Sequence, residues 1–329
     1  MDVGLSRIAV QLPGRTESVD DILARTGHGP VERKMFARVY GLNQSPTLAE
    51  GECMEDLLAS AGLAALGGET AELVLYGHTL LTQEFGYRGG FPDRLRKRLE
   101  LPDAAFYGIS HVNCVSVLRA VELARRYLGR PQAAADDRVL VLGGDHGSIS
   151  DHSRLIRRTT IGGDGAVAFL VQPCPPQRFD GDGTGPRSPR YRYLAGASGR
   201  DARFHRSLGM SDEEFGLFGK VCAEGAVETV HRAAHAAGLT ADRLDWVMPH
   251  LSNRMFWRAF CATSGIAKDR IALDLIGEQA HNFGCDALMA LEHADRQGRL
   301  RPGERCALVS LGQGAYFQVI IVEVAEDAS

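Results

Sequence analysis

The chain repeats itself once. Placing His111 on His281, a shift of 170 positions, also sets Leu118 on Leu288, Ala120 on Ala290, Glu122 on Glu292 and Ala124 on Ala294. The same order of elements follows in both places. A helix-periodic segment leads to a charged turn and an apolar run, Asp137-Arg-Val-Leu-Val-Leu142 in one copy and Glu304-Arg-Cys-Ala-Leu-Val309 in the other. A glycine-containing turn and a closing apolar run then end each copy, Gly162 to Phe169 and Gly312 to Phe317. Strand and helix alternating in this way, twice over, predict an α/β protein whose halves are related by a pseudo-twofold axis. Equivalent strand-to-helix turns face each other across that axis. The turns at Cys114 and at His281-Asn282 therefore open into one cavity.

Cys114 gives that cavity its chemistry. The apolar run from Ala104 to Ile109 reads as a short buried strand. Beyond the cysteine, Val117, Val121, Ala124 and Leu128 recur at helical spacing, with Arg119, Glu122 and Arg126 on the opposite stripe. Cys114 thus stands at a helix N-terminus, where the dipole and the free N–H groups favour an anion. A thiol so placed is a nucleophile. A buried structural cysteine is the commoner use of this residue type, so its companions decide the matter.

Composition narrows the setting. A chain of 329 residues, 44% hydrophobic and 24% charged, can bury a sizeable core. A net charge of −4 demands no basic surface, so nucleic acid is not an expected partner. The seven cysteines are odd in number and none has CxxC spacing, so neither a disulfide framework nor a zinc knuckle is expected. No apolar run is long enough to span a bilayer and no signal peptide is recognisable, which points to the cytoplasm and away from the membrane. Further strands are expected at 7–12, 73–77, 138–142, 164–171, 191–197, 244–248, 306–311 and 315–324, and helices at 49–66, 91–99, 221–237, 254–264 and 285–297. A Pro-, Gly- and Asp-rich linker, 174–189, divides an N-terminal half, 1–173, from a C-terminal half, 190–329.

Two more polar groups stand at strand ends. Pro249-His250-Leu251-Ser252-Asn253 directly follows the 244–248 strand, and His281-Asn282 directly precedes the repeat-matched helix. Each alone is ordinarily a satisfied histidine or a capping asparagine. With a helix-start cysteine they make a thiolate, an imidazole and a carboxamide. A thiolate accepts an acyl group from a thioester without loss of activation, because the product is again a thioester. The tetrahedral intermediate needs donors, which the backbone N–H of Cys114 and the Gly312-Gln313-Gly314 turn can supply. Decarboxylation of a malonyl thioester puts charge on a second oxygen, for which His250 and Asn282 are suitable donors.

These residues, in this order, resemble the 3-ketoacyl-acyl-carrier-protein synthase III family of the thiolase superfamily. The family's helix-start cysteine is matched by Cys114, its Pro-His-x-x-Asn motif by Pro249 to Asn253, its Gly-Asn-Thr-Ser-like motif at Asn282, its late glycine-rich turn by Gly312 to Gly314, and Gly163 to Ala166 add a Gly-Asp-Gly-Ala signature. The resemblance implies a thiolase-like fold: two pseudo-twofold-related βαβαβαββ halves in a layered α/β/α/β/α core. It implies Cys114, His250 and Asn282 as catalytic residues and an oxyanion hole from the backbone of Cys114, Gln313 and Gly314. It further implies a homodimer with no metal or redox cofactor. Coenzyme A or phosphopantetheine carries the acyl thioester substrate, and an acyl carrier protein is a candidate partner.

The departures from the family pattern point to specialised metabolism. Val115-Ser116 follow the cysteine where a small residue and glycine are usual. His281 stands where a glycine precedes the asparagine, bulky Phe283 follows it, and residues 31–38 lack the tryptophan that stacks on adenine. His111, His281 and Asn253 are candidate polar groups of the cavity, and Arg157 or Arg158 a candidate phosphate contact. The expected reaction is condensation of a Cys114-bound acyl group with a malonyl-type extender. Two other readings stay open. One is acyl transfer to a hydroxyl or amine, with His250 as general base. The other is a non-catalytic partner subunit of a condensing heterodimer, against which the presence of Cys114 speaks.

Overall fold

The computed structural model describes residues 2–80, 90–156, 158–175, 188–206 and 209–326. Nine strands hydrogen-bond into one sheet. Read across it they are Trp246–Met248, Arg305–Gly312, Tyr316–Val324, Tyr191–Arg200, Val3–Gln11, Asp164–Pro173, Val139–His146, Leu73–Gly77 and Ala105–Ile109. The first four belong to the C-terminal half and the other five to the N-terminal half. Within the sheet, the described strands of the two halves pair where Gly4 and Leu5 meet Arg192 and Tyr191.

Side-chain alternation along the strands builds the layers. Val139 and Val141 enter one cluster while Leu140 and Leu142 enter another. In the other half, Ile320 and Val322 part from Val319 and Ile321 in the same way. Strands buried on both faces explain why these segments read as unbroken apolar runs. One face of each half packs into a shared central cluster with the Ser116–Leu128 and Asp286–Arg296 helices. The Met54–Leu66 and Phe91–Arg98 helices cover the outer face of the N-terminal half. The Asp212–Ala236 and Arg254–Ser264 helices cover that of the C-terminal half. Helix, sheet, helix, sheet, helix is the layer order of the thiolase-like fold.

The repeat is kept in backbone detail. Single 3-10 turns, Asn113–Val115 and Phe283–Cys285, precede helices that begin at Ser116 and Asp286. Asn113 and Phe283, a repeat apart, both have positive φ, 54° and 52°. The symmetry is incomplete. Among the described residues the C-terminal half has no full partner for Ala105–Ile109; a single parallel bridge between Val247 and Ile271 stands in its place.

Three sequence expectations need correction. The Ala105–Ile109 strand is not buried: it pairs only with Leu73–Gly77 at the sheet edge, and Tyr107 is 63% exposed. Apolar letters alone do not distinguish an edge from a centre. The helix expected from 221 begins at Asp212, behind a capping box in which Ser211 and Glu214 bond reciprocally. The helix expected from 49 begins at Met54, because the Glu52 carboxylate holds the Ala49 N–H in a turn. Most of the linker, 176–187, lies outside the described residues. Among the described residues no helix is long and apolar enough to cross a membrane.

The central helices press hard on the sheet. A β-carbon at Gly77 would lie 2.9 Å from the backbone N and Cα of Val117. Gly77→Ala is therefore expected to lower stability by about 1–3 kcal/mol, read from denaturant unfolding. Gly216→Ala, in a helix with open space around it, should be neutral or stabilising.

Candidate active site

Cys114 lies in the middle of the first 3-10 turn. The C-terminal half holds that turn in place. Ser310 Oγ donates to the Cys114 carbonyl at 2.5 Å, and Asn113 Nδ2 donates to the Gln313 carbonyl at 2.7 Å. Gly312 packs directly against the Cys114 amide. A β-carbon there would come within 2.9 Å of the Val112 carbonyl and 3.4 Å of the Cys114 nitrogen. Glycine at 312 leaves room beside the N–H that would face an oxyanion.

His281 faces the sulfur. Its Nε2 is 3.6 Å from Cys114 Sγ, and its Nδ1 is 2.6 Å from Asp286 Oδ2. The same carboxylate accepts the N–H groups of Asn282 and Leu251, each at 2.7 Å. The N-terminal half grips the His281 backbone: its N–H donates to the Ile161 carbonyl at 3.1 Å, and its carbonyl accepts from Gly163 at 2.8 Å. Buried Arg154 stiffens that segment by donating to the Gly162 carbonyl, Ser45 Oγ and Thr47 Oγ1 while pairing with Glu17 at 2.9 Å. Burial opposes a charge on His281, but Asp286 and then Cys114 outweigh it and raise its pKa to about 10.

His250 is the opposite case. Its ring centroid is 4.3 Å from that of His281. Both of its ring nitrogens are buried without a hydrogen-bond partner. Burial, and secondarily the neighbouring His281, push its pKa well below the usual histidine value, so it is neutral. Trp257 Nε1 holds its carbonyl at 2.7 Å. Asn253 lines the cavity but is engaged: it caps the following helix through Phe256 N–H at 2.8 Å and donates to the Thr159 carbonyl at 3.1 Å.

Other candidates are placed elsewhere. The Asn282 amide donates to the Gln279 carbonyl at 3.0 Å, and its Oδ1 lies against Gly163 and Gly165, away from the cavity lining. Successive side chains diverge, and Asp286 fixes the backbone so that residue 281, not 282, meets the sulfur. His111 is exposed and contacts Ser110 Oγ at 3.0 Å; the repeat relates the two turns without relating these two rings. Gln313 lines the cavity, whereas Gly314 packs on the Tyr316 ring. Arg158 lines the cavity, and Arg157 lies outside the described residues. Asp286 was not among the sequence candidates. Its signal was present as a single carboxylate opening the otherwise apolar run Asp286 to Leu291, five residues after His281.

The cavity above Cys114 measures about 480 Å³ and has apolar walls that include Met35, Tyr40, Phe215, Phe218 and Phe256. A groove of about 790 Å³, whose lining includes Arg38, Arg254, Arg258 and Lys268 as well as Asp269 and Asp274, adjoins it at Val39 and Met255.

Comparison with known proteins places this geometry in context. Residues 234–324 match the family model described as 3-oxoacyl-[acyl-carrier-protein] synthase III C terminal. The chain is 25% identical over 314 residues to the beta-ketoacyl-[acyl-carrier-protein] synthase III of Paracoccus denitrificans, covering 92% of this chain and 89% of the relative. It is 29% identical over 284 residues to the protein of the same name from Rhodospirillum rubrum, covering 81% and 83%. Among solved structures, ChlB3, described as an acyltransferase, aligns with a TM-score of 0.81 at 19% identity over 100% of this chain and 99% of that one. The 3-oxoacyl-(acyl carrier protein) synthase III of Pseudomonas aeruginosa PAO1 aligns at 0.76 and 19% identity over 100% of both. At these identities the solved structures speak for the fold.

Because the folded His281 value lies above the ordinary 6.5, its ion pair stabilises the protein fully below about 6.5, and the contribution fades as pH rises through about 10. Asp286→Asn removes the largest raising influence. His281 should then release its proton at lower pH than in the wild type, read from histidine ring NMR shifts. An unchanged titration would show that Asp286 does not hold the imidazolium.

Proposed function

We propose, from the premise that this chain belongs to the 3-ketoacyl-acyl-carrier-protein synthase III family and is an acyl-transferring enzyme of the condensing type, that it carries an acyl group on Cys114 and delivers it to a hydroxyl or amine. The observation that carries this reading is the His281–Asp286 pair facing Cys114 Sγ, where a carboxamide was expected. A carboxylate-backed imidazole moves protons; a carboxamide only donates hydrogen bonds.

The residues divide the work as follows. The Cys114 sulfur attacks the thioester carbonyl while His281 holds the proton at Nε2. The oxyanion meets the Cys114 N–H beside Gly312. Collapse expels the carrier thiolate, which takes the proton from His281. In the second half-reaction the acceptor gives its proton to His281 as its oxygen or nitrogen attacks the acyl carbon. Collapse releases an ester or amide and frees the Cys114 sulfur, and His281 keeps the acceptor's proton, which restores the starting state. The high proton affinity of His281 suits it to an alcohol or amine, and Asp286 holds the imidazolium that forms. His250, neutral and unpartnered, is a hydrogen-bond partner for a substrate oxygen. The general base is thus His281 and not His250.

The surroundings fit the same reading. Apolar walls suit an aliphatic or aromatic acyl group. In the neighbouring groove, Arg38, Arg254, Arg258 and Lys268 outnumber Asp269 and Asp274 and suit the phosphates of coenzyme A or of a carrier protein's phosphopantetheine. The exposed edge strand Ala105–Ile109 is a pairing surface for a second copy, which supports a homodimer. An ester- or amide-forming member belongs to specialised metabolism.

A decarboxylating condensation is the second reading. It is favoured by the two unpartnered ring nitrogens of His250, which could stabilise an enolate, and by the synthase names of the curated relatives. Intact-mass spectrometry with acyl thioesters should show one acyl adduct in the wild type and none in Cys114→Ala. The acylated enzyme is then offered a panel of alcohols and amines, or malonyl-carrier protein. Ester or amide formation supports the first reading; carbon dioxide release with malonyl-carrier protein establishes the second in its place. Asp286→Asn should slow the first by roughly 10²–10⁴-fold.

A further inference from the structure

The three side chains at the cavity floor are also a ligand set. Cys114 Sγ, one nitrogen of His250 and one of His281 all lie within 4.8 Å of one another. In a tetrahedral zinc site, bonds of about 2.3 Å to sulfur and about 2.0–2.1 Å to nitrogen put those two ligands roughly 3.6 Å apart. The Cys114–His281 separation is 3.6 Å. His250 is buried, with both ring nitrogens unpartnered beside the same cavity. His281 is braced from behind by Asp286, the carboxylate–histidine arrangement that orients metal-binding imidazoles.

We infer that Cys114, His250 and His281 together bind a thiophilic divalent cation of the zinc type, with the fourth position open to the cavity, and that the bound ion holds the enzyme inactive. One thiolate and the Asp286 carboxylate balance the charge of such an ion, so a buried site is electrostatically affordable. The ion occupies the sulfur and both imidazoles at once, leaving no nucleophile and no base. Magnesium, which prefers oxygen ligands, should not compete. Metal binding stands on this geometry alone. The inactivation rests on the acyl-transfer reading.

The test uses the full chain, treated with a chelator and titrated with cobalt(II) as a spectroscopic probe. One cobalt per chain should bind, with a sulfur-to-cobalt charge-transfer band and the visible bands of a tetrahedral site, and zinc should displace it. The charge-transfer band should vanish in Cys114→Ala and persist in Cys53→Ser, whose sulfur is exposed and remote from the cavity. His250→Gln should weaken binding. Asp286→Asn should weaken it by roughly 10–100-fold while keeping the band. Zinc should also block acylation in the mass assay, with recovery on chelation.

Absence of the band, or its survival in Cys114→Ala, overturns the site. A bound metal that leaves acylation unchanged overturns the switch. If metal-free enzyme never acylates, the acyl-transfer reading fails, and with it the switch, while the cobalt spectrum still decides the site.

Discussion

The Asp286 carboxylate is the interaction on which the site depends. It takes the imidazole of His281, the N–H of Asn282 and the N–H of Leu251, the residue after His250. One buried anion thereby sets the positions of both histidines. Burying a carboxylate costs several kcal/mol unless hydrogen bonds and charge compensate it. Here three donors do so, and the carboxylate opens a helix whose dipole favours negative charge. The hydrogen bond to Nδ1 also decides that Nε2 is the nitrogen presented to the sulfur.

Two neighbouring imidazoles consequently differ in character. His281 has a carboxylate behind it and a sulfur in front, and it holds its proton. His250 has burial and a cationic neighbour, and it stays neutral. Environments that push adjacent titratable groups apart are how one site separates proton transfer from hydrogen bonding.

The pseudo-symmetry of the fold is broken at the cavity. The repeat partner of Cys114 is Gly284, and a β-carbon there would lie 2.8 Å from Val117 Cγ2 and 3.2 Å from the Cys114 carbonyl. At this matched position the two turns pack so closely that only one of them has room for a side chain. The cross-braces are equally one-sided. The N-terminal half holds His281 through Ile161 and Gly163 over an Arg154–Glu17 support, while the C-terminal half holds Cys114 through Ser310 and Gln313. Each half positions the other half's reactive group.

Much of the architecture was legible in the sequence. Runs such as Val139 to Leu142, the helical spacing after Cys114 and the shift of 170 between His111 and His281 told of strands, a strand-to-helix turn at the cysteine, and two matching halves. Burial imposes its period on neighbouring residues, so it leaves a local trace. Tertiary structure alone decided that His281 and not Asn282 meets the sulfur, that Asp286 ties the two histidine loops, that His111 points outward, and that Ala105–Ile109 is an edge. Those outcomes depend on backbone angles and hydrogen bonds between segments far apart in the chain, such as Leu251 with Asp286 or Gly163 with His281. Contacts of that kind leave no periodic mark on the residues that make them.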